Sequence, residues 1–382
     1  MTQMFFEENR PGPGMHALVI GVGGYAHLPG GAGRAIADPL RYGNLGQLTS
    51  PPRSALEFAT WLRESDPSRW TAPLASIDLR ISPAPTDPDL GGSGSAYRDA
   101  TIDSITEAYD VWKDRCASDE NNVAVFYFCG HGLQSDEQLL LASDFGRYEG
   151  NHFRGAFSFE STRTGFLQRP PRTQCFFIDA CREVAPGVTM PLGGANADPL
   201  DRPDARRRRH CDHDLTLQSS TPFAAALGRP RNVSYFTAAL INAMQGGAAV
   251  TDEFAEWVVR TDRIAMVIDS LVEAEAGRPM PTAKGPAFLP AVLYRLDGPP
   301  DVELTLACVP EPALCRATLF YEPHPSGRTE RKPPMPEKWN VTLKAGYYRI
   351  GAEFEDHTYA PVSRTELINP PTTAQTLRAV SR

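Results

Sequence analysis

VAVFYFCGHG, residues 123–132, is the stretch on which the reading of this chain turns. Seven mostly apolar residues, rich in β-branched and aromatic types, form a run too short for a core helix. It reads as a fully buried strand. The run stops at Gly130-His131-Gly132, so a strand end presents an imidazole between two glycines. The question is what that imidazole meets.

Working outward, HALVIGV (16–22), SIDLRIS (76–82), QLLLA (138–142), QCFFIDA (174–180) and DLTLQSS (214–220) read as further strands. AFLPAVLYRL (287–296) reads as the last strand of the same domain. Between them lie helical periods. Ala55, Phe58, Ala59 and Leu62 fall on one face, with Ser50 as cap and Pro51 in the first turn. Ile102, Ile105, Tyr109 and Trp112 mark a second amphipathic helix. VSYFTAALINAM (233–244) and FAEWVVRTDRIAMVIDSLVEAE (254–275) supply two more. Strands alternating with helices predict an α/β domain with a mainly parallel sheet over residues 15–297, behind a tail of residues 1–14. The Pro-, Gly-, Asp- and Arg-rich segment 183–214 reads as a mobile excursion. After Asp297-Gly298-Pro299-Pro300 the texture changes to alternating strands separated by Pro/Gly turns. Residues 298–382 therefore read as an antiparallel β-sandwich.

The totals restrict the function. The chain has 382 residues, more than one ordinary core, with 41% hydrophobic and 22% charged residues. A formal net charge of −8 argues against broad affinity for nucleic acid. Seven cysteines in no repeated spacing suit a reducing cytosol better than a disulfide framework. The first residues lack a secretory pattern, and no run reaches the ~18 apolar residues a membrane helix needs. A cytoplasmic protein with no membrane contact is expected.

In open α/β sheets, chemistry gathers at the carboxyl ends of the strands. His131 ends one strand and Cys181 ends another, 50 positions later. An imidazole that takes a thiol proton leaves a thiolate nucleophile. The Gly132 and Cys181 amides are placed to hold an oxyanion.

The residues LVIGVGGY, SALEFATWL, FYFCGHG, FFIDACRE and SYFTAALINAM together resemble the caspase-like cysteine peptidases, in particular the bacterial branch near metacaspases and orthocaspases. The 50-residue spacing agrees with that family. The resemblance implies a three-layer α/β/α sandwich and a cysteine endopeptidase. In it His131 is general base and acid, Cys181 the nucleophile and Gly132 part of the oxyanion hole. It also implies roles in regulated cell death, stress responses or antiviral defence. The chain departs from the animal caspase motif, having Asp179-Ala180-Cys181-Arg182 in place of Gln-Ala-Cys. Metacaspase-like enzymes carry an acid two residues before the cysteine, and Asp179 occupies that place. A carboxylate there favours Arg or Lys before the scissile bond and disfavours Asp; the alternative for Asp179 is a turn cap or a pair with Arg182. Leu217 to Ser220, with Ser219 and Ser220 foremost, are expected to wall the pocket. Metacaspases continue with His-Ser-Gly, where this chain has Arg182-Glu183-Val184.

The partners expected are a protein substrate and an activating protease or regulatory protein. Arg206, Arg207, Arg208 and Arg209, between the parts that resemble the large and small subunits, read by default as a solvated loop; the alternative is a processing site, cut by the protein itself or by an activator. No cofactor is required. His210-Cys211-Asp212-His213 is too crowded to read as a metal site, and none is expected. Gly21-Val22-Gly23-Gly24-Tyr25-Ala26 fits G-x-G-x-x-A, but Pro29-Gly30-Gly31 interrupts where a dinucleotide fold needs a helix, so a tight turn is expected. A nucleotide-binding regulator is the reading this leaves behind. The other rival is a catalytically silent caspase-like scaffold. The C-terminal WNVTLKAGYYRIGAEFED is similar to β-sandwich repeats with a recurring Leu-x-x-Gly-x-Tyr turn, modules that bind partners or pack on a catalytic domain.

Overall fold

The structure, a computed structural model, describes residues 5–8, 11–36, 42, 45–87, 90, 99–182, 197–221, 228–285, 289–325, 327–371 and 374–382. These residues divide into two compact units. The first comprises residues 1–241 and 268–293, the second residues 242–267 and 294–382.

In chain order the elements up to residue 284 are β1 (Phe6–Glu7), β2 (Met15–Val22), α1 (Ser50–Glu64), β3 (Leu74–Ser82), α2 (Ile102–Cys116), β4 (Val123–Gly130), β5 (Gly132–Gln134), β6 (Gln138–Leu141), β7 (Ala156–Ser158), α3 (Phe159–Phe166), β8 (Thr173–Ala180), β9 (His213–Gln218), α4 (Tyr235–Asn242), β10 (Ala249–Thr251), β11 (Trp257–Arg260), α5 (Thr261–Ala276) and β12 (Ala283–Lys284). Seven strands form one sheet in the order β1-β3-β2-β4-β8-β9-β12. The five central strands are mutually parallel, and only the short edges β1 and β12 run antiparallel. The expected mainly parallel α/β sheet is what forms. Part of the expected N-terminal tail joins it, since Phe6 and Glu7 pair with Ile77 and Ser76.

Alternation along the buried strands sorts their side chains onto two faces. Leu18, Ile20, Phe126, Phe128, Phe176 and Ile178 share a core with Ile105, Tyr109 and Trp112 of α2 and Phe166 of α3. On the opposite face Phe58 of α1 stacks on Tyr127, with ring centroids 4.7 Å apart, and meets Phe177 edge-on. Helices thus cover both faces, which is why these strands are apolar throughout and not alternating. The face of α1 is the expected one, and Pro51 and Pro52 sit in its first turn. The expected Ser50 cap is absent: the helix begins at Ser50, after a Thr49 that makes no side-chain cap bond. α2 is capped by Thr101, whose hydroxyl accepts from the Ser104 N–H.

Two expectations for this region are corrected. The helix expected from Phe254 starts only at Thr261. The β-branched pair Val258 and Val259 is buried in β11, a hairpin partner of β10, and Asp252 closes the turn by accepting from the Phe254 and Glu256 N–H groups. The strand Val292–Arg295 lies outside the seven-stranded sheet.

In the second unit, Asp301–Val309 pairs with Trp339–Lys344 and Ala374–Arg378, while Thr318–Pro323 lies in a four-stranded sheet with Glu330–Lys332, Gly346–Glu353 and Val362–Ile368. Leu304, Leu306, Leu319, Ile350, Ala352, Ile368 and Leu377 are buried in its core. The expected all-antiparallel pattern has one exception: Asp301–Val309 and Ala374–Arg378 are parallel. Among the described residues no helix is long and apolar enough to cross a membrane.

Candidate active site

β4 and β8 are parallel neighbours whose last pair is Gly130 opposite Ala180. His131 and Cys181 follow at once, so they leave the sheet side by side on strands ~4.8 Å apart. Both flanking glycines have a steric reason. A Cβ on Gly130 would lie 2.9 Å from Tyr25 Oη and 3.1 Å from the Phe128 ring. One on Gly132 would lie 2.5 Å from the Cys181 carbonyl oxygen. The histidine segment is therefore pressed directly onto the cysteine segment. Cys181 is half-buried and in no disulfide.

His131 is 8% exposed and held from two sides. Its backbone N–H donates to Tyr25 Oη at 2.7 Å, and its ring lies against the Tyr25 ring at 4.8 Å. Its Nε2 lies 2.8 Å from the Gly46 carbonyl oxygen. The Gly46 N–H also approaches Nε2, at 3.4 Å, but the shorter contact is to the carbonyl, which only accepts, so the tautomer with its proton on Nε2 and Nδ1 basic fits better. Burial pushes the imidazole down to about 4, against the opposing pull of the Gly46 carbonyl. At neutral pH the ring is uncharged and able to accept a proton.

The Gly46 carbonyl is fixed by its neighbour. Gln47 Oε1 accepts from the Tyr25 N–H at 2.9 Å, and its Nε2 donates to the Tyr25 and Pro29 carbonyls at 3.0 Å each. The Leu48 N–H bonds the Gly23 carbonyl at 2.8 Å, so closely that a Cβ on Gly23 would collide with the Leu48 oxygen. The glycine-rich stretch after β2 is thus a brace for the histidine. Among the described residues no α-helix follows the glycines at 21–26 until Ser50, so the helix start a dinucleotide fold places at the pyrophosphate is missing there. Gly46, Gln47 and Tyr25 were not legible as site residues. Their contribution is mostly backbone, and nothing in a sequence ties Gly46 to a histidine 85 positions away.

The Leu141 N–H bonds the His131 carbonyl at 3.1 Å, which makes Gly132 and Leu140 a pair without mutual hydrogen bonds. The Gly132 N–H therefore points away from β6. Behind Cys181, Gln138 Nε2 donates to the Cys181 carbonyl at 3.2 Å, and Gln138 Oε1 accepts from Gln218 Nε2 at 2.9 Å. Arg182 extends this network, donating to Gln218 Oε1 at 3.0 Å, Gln134 Oε1 at 2.9 Å and Glu160 at 3.3 Å.

Asp179 is 6% exposed, on the α1 face of the sheet. Its carboxylate accepts from the Ser234 hydroxyl, from Thr237 at 3.2 Å and from the Cys129 thiol at 3.5 Å. Ser234 also accepts the Thr237 N–H at 3.0 Å, so the carboxylate sits at the start of α4, where a negative charge is favoured. Burial raises the Asp179 carboxyl, and the hydroxyl donors pull it back. No Lys or Arg side chain meets it among the described residues. Ser219 and Ser220 are both buried beside this segment. Ser220 Oγ donates to the Ala180 carbonyl at 2.8 Å, while the Ser219 hydroxyl, near Asp179, is outside hydrogen-bond geometry.

The arginine run is exposed. Asp204 forms a turn that accepts the Arg206 and Arg207 N–H groups, and Gln168 holds the Asp204 and Arg207 carbonyls. Arg209 bonds the Cys211 carbonyl and lies 3.6 Å from Asp214. Of the expected excursion, residues 183–196 lie outside the described residues. The remainder is tied down, with Asp201 paired to Arg169 and the Leu200 N–H to Thr162. Cys211 and His213 turn their side chains to backbone carbonyls of Arg172, His213 and Leu289.

The carboxyl edge of the sheet thus carries an imidazole and a thiol at the ends of neighbouring strands. The family is shown by comparison: the model of the caspase domain matches residues 88–284, just over half of the chain. The chain belongs to the caspase domain family, a family of cysteine peptidases. The match omits β2, α1 and β3, which the structure nonetheless places in the same sheet and against it. The chain is 28% identical over 187 residues to the uncharacterized protein y4kE of Sinorhizobium fredii, covering 47% of this chain and 51% of that one. It is 33% identical over 137 residues to a Desulfuromonadales bacterium protein named "Probable protease", covering 35% of this chain and 16% of that one. It thus spans about half of the first relative and far less of the second. The crystal structure of caspase-1 from Spodoptera frugiperda aligns with 77% of this chain and 96% of its own, at TM-score 0.37 and 13% identity.

Proposed function

We propose that the protein is a cysteine endopeptidase that cleaves after Arg or Lys. The observation that carries this is the exit of His131 and Cys181 side by side from β4 and β8, with His131 neutral and its Nε2 already committed to Gly46. Cys181 Sγ attacks the scissile carbonyl carbon while its proton passes to His131 Nδ1. The Gly132 and Cys181 N–H groups hold the resulting oxyanion. The C–N bond then breaks, His131 returns the proton to the leaving amine, and a thioester remains on Cys181. A water attacks the thioester, giving one proton to His131. The acid product leaves, and the thiol is regenerated. No cofactor enters these steps.

The reading for Arg or Lys rests on Asp179, a buried carboxylate whose partners among the described residues are hydroxyls and a thiol. A buried charge without a counter-charge is costly, and a substrate cation supplies one. Ser219 and Ser220 flank it. In the same reading, one of Arg206 to Arg209 is the bond cut on maturation, by a second copy or by an activating protease. A positional peptide library scanned against wild type and Cys181→Ala tests the whole reading. Cleavage confined to bonds after Arg or Lys, absent in Cys181→Ala, supports it. Cleavage retained by Cys181→Ala, or no cleavage of any library member by intact or processed protein, favours the catalytically silent scaffold.

A further inference from the structure

We infer that a cavity beside the catalytic edge is the subsite for a basic residue on the leaving side of the substrate, three or four residues beyond the scissile bond. The inference rests on the peptidase reading and adds a second point of selection to it. The cavity, of about 270 Å³, opens at the carboxyl ends of β2 and β3. Gly24, Ala26, Ala32, Pro83 and Pro85 give it small apolar walls, and Asp99 and Asp144 give it charge. No Lys or Arg is among its described lining residues.

Its frame is built by the backbone. The Ala26 N–H bonds the Ser143 carbonyl at 3.0 Å, the Ser143 N–H bonds Ala100 at 2.9 Å, and the Gly24 N–H bonds the Ser82 carbonyl at 2.7 Å. Asp144 is 6% exposed. Its Oδ1 accepts the Ile102 N–H at 2.9 Å, and its carboxylate lines the cavity wall. Neither Asp144 nor Asp99 forms an ion pair with a described residue. A mostly buried carboxylate on the wall of a cavity whose described lining holds no Lys or Arg fits a ligand ammonium or guanidinium.

Direction comes from the chemistry. His131 must reach the leaving amine, so the departing chain passes over the His131 side of Cys181. In sheet order that side runs from β8 to β4, then β2, then β3. Two to three strand spacings place the cavity roughly 10–14 Å from Cys181. At ~3.3 Å per extended residue, that is the third or fourth residue of the leaving peptide. Tyr25 joins the two places: it lines the cavity and bonds the His131 N–H.

The test uses full-length protein and quenched peptides that share one non-leaving half with Arg at the scissile bond. The third and fourth leaving-side residues are Lys, Ala or Glu. Lys should raise kcat/KM about fivefold over Ala, and Glu should lower it. Asp144→Asn keeps the acceptor for the Ile102 N–H and should erase the difference while leaving turnover of the Ala peptide in place. Should Asp144→Asn lower the melting temperature, the exposed Asp99→Asn gives the same readout, with a partial loss of preference. Binding of the same peptides to Cys181→Ala, followed by fluorescence anisotropy, should rank in the same order. Cleavage by wild type that is indifferent to these positions overturns the subsite and leaves the peptidase standing. Asp144-dependent binding without cleavage overturns the peptidase and leaves the subsite standing. Indifference in both assays overturns the inference.

Discussion

In the proposed mechanism two side chains carry the chemistry, His131 and Cys181. His131 is buried, so charging it is costly; its imidazole is pushed down to about 4. The acid limb of kcat/KM should therefore lie below the ordinary 6.5 of an imidazole, toward about 4. A limb at or above 6.5 would contradict an imidazole lowered by burial. The sign for stability is the same: the unfolded chain binds this proton more readily, so the His131 contribution is complete above about 6.5 and is lost as pH falls through about 4. His16, also lowered to about 4 by burial, adds to this loss, and melts across that window should show the midpoint falling with pH. His131→Ala and Cys181→Ala should each lower kcat by about 10⁴-fold or more with little change in melting temperature. Gly132→Ala tests the close approach. Its Cβ would sit 2.5 Å from the Cys181 oxygen, so the backbone must shift, and kcat should fall more than KM rises.

At the scale of elements, the strands announced themselves and their polar positions did not. VAVFYFC and QCFFIDA are apolar throughout because helices cover both faces, and that reads directly from a sequence. Gln134, Gln138 and Gln218, by contrast, look like solvent-facing positions of short strands. Only the pairing of β5 and β6 and the place of β9 beside β8 bring them to the Cys181 carbonyl. The Asp179–Ser234 contact spans 55 positions and was equally hidden. Phe254 to Arg260 misled for another reason: a helical period continued through β-branched residues that a hairpin turn at Asp252 claims for a strand. Gln138→Leu should leave the Cys181 carbonyl and the Gln218 amide unpartnered, costing about 1–3 kcal/mol in denaturant unfolding and lowering kcat more than it changes KM. Ser234→Ala should remove the α4 cap at a cost of about 1 kcal/mol and weaken selection for Arg, since it loosens the carboxylate that makes it. Unchanged selectivity in that variant would make Asp179 a helix-terminus charge only.

For the molecule as a whole, the order of β8 and β9 sets how it can be processed. They are adjacent parallel strands joined by the segment that contains the exposed turn at Arg206 and Arg207. A cut there separates the chain without removing a strand from the sheet, and the six strand pairs of the sheet stay hydrogen-bonded. Active protein should yield two fragments whose new terminus follows one of Arg206 to Arg209, whereas Cys181→Ala should stay intact when purified alone. Intact chains in a preparation that cleaves peptides would remove the processing site from the account. The most direct test of the central claim is covalent labelling with an arginyl peptide chloromethyl ketone, located by mass spectrometry on wild type and His131→Ala. One adduct per chain on Cys181, lost in His131→Ala, with the six other cysteines unlabelled, is the predicted result. An adduct elsewhere, or one on Cys181 that forms equally fast without the imidazole, would contradict it.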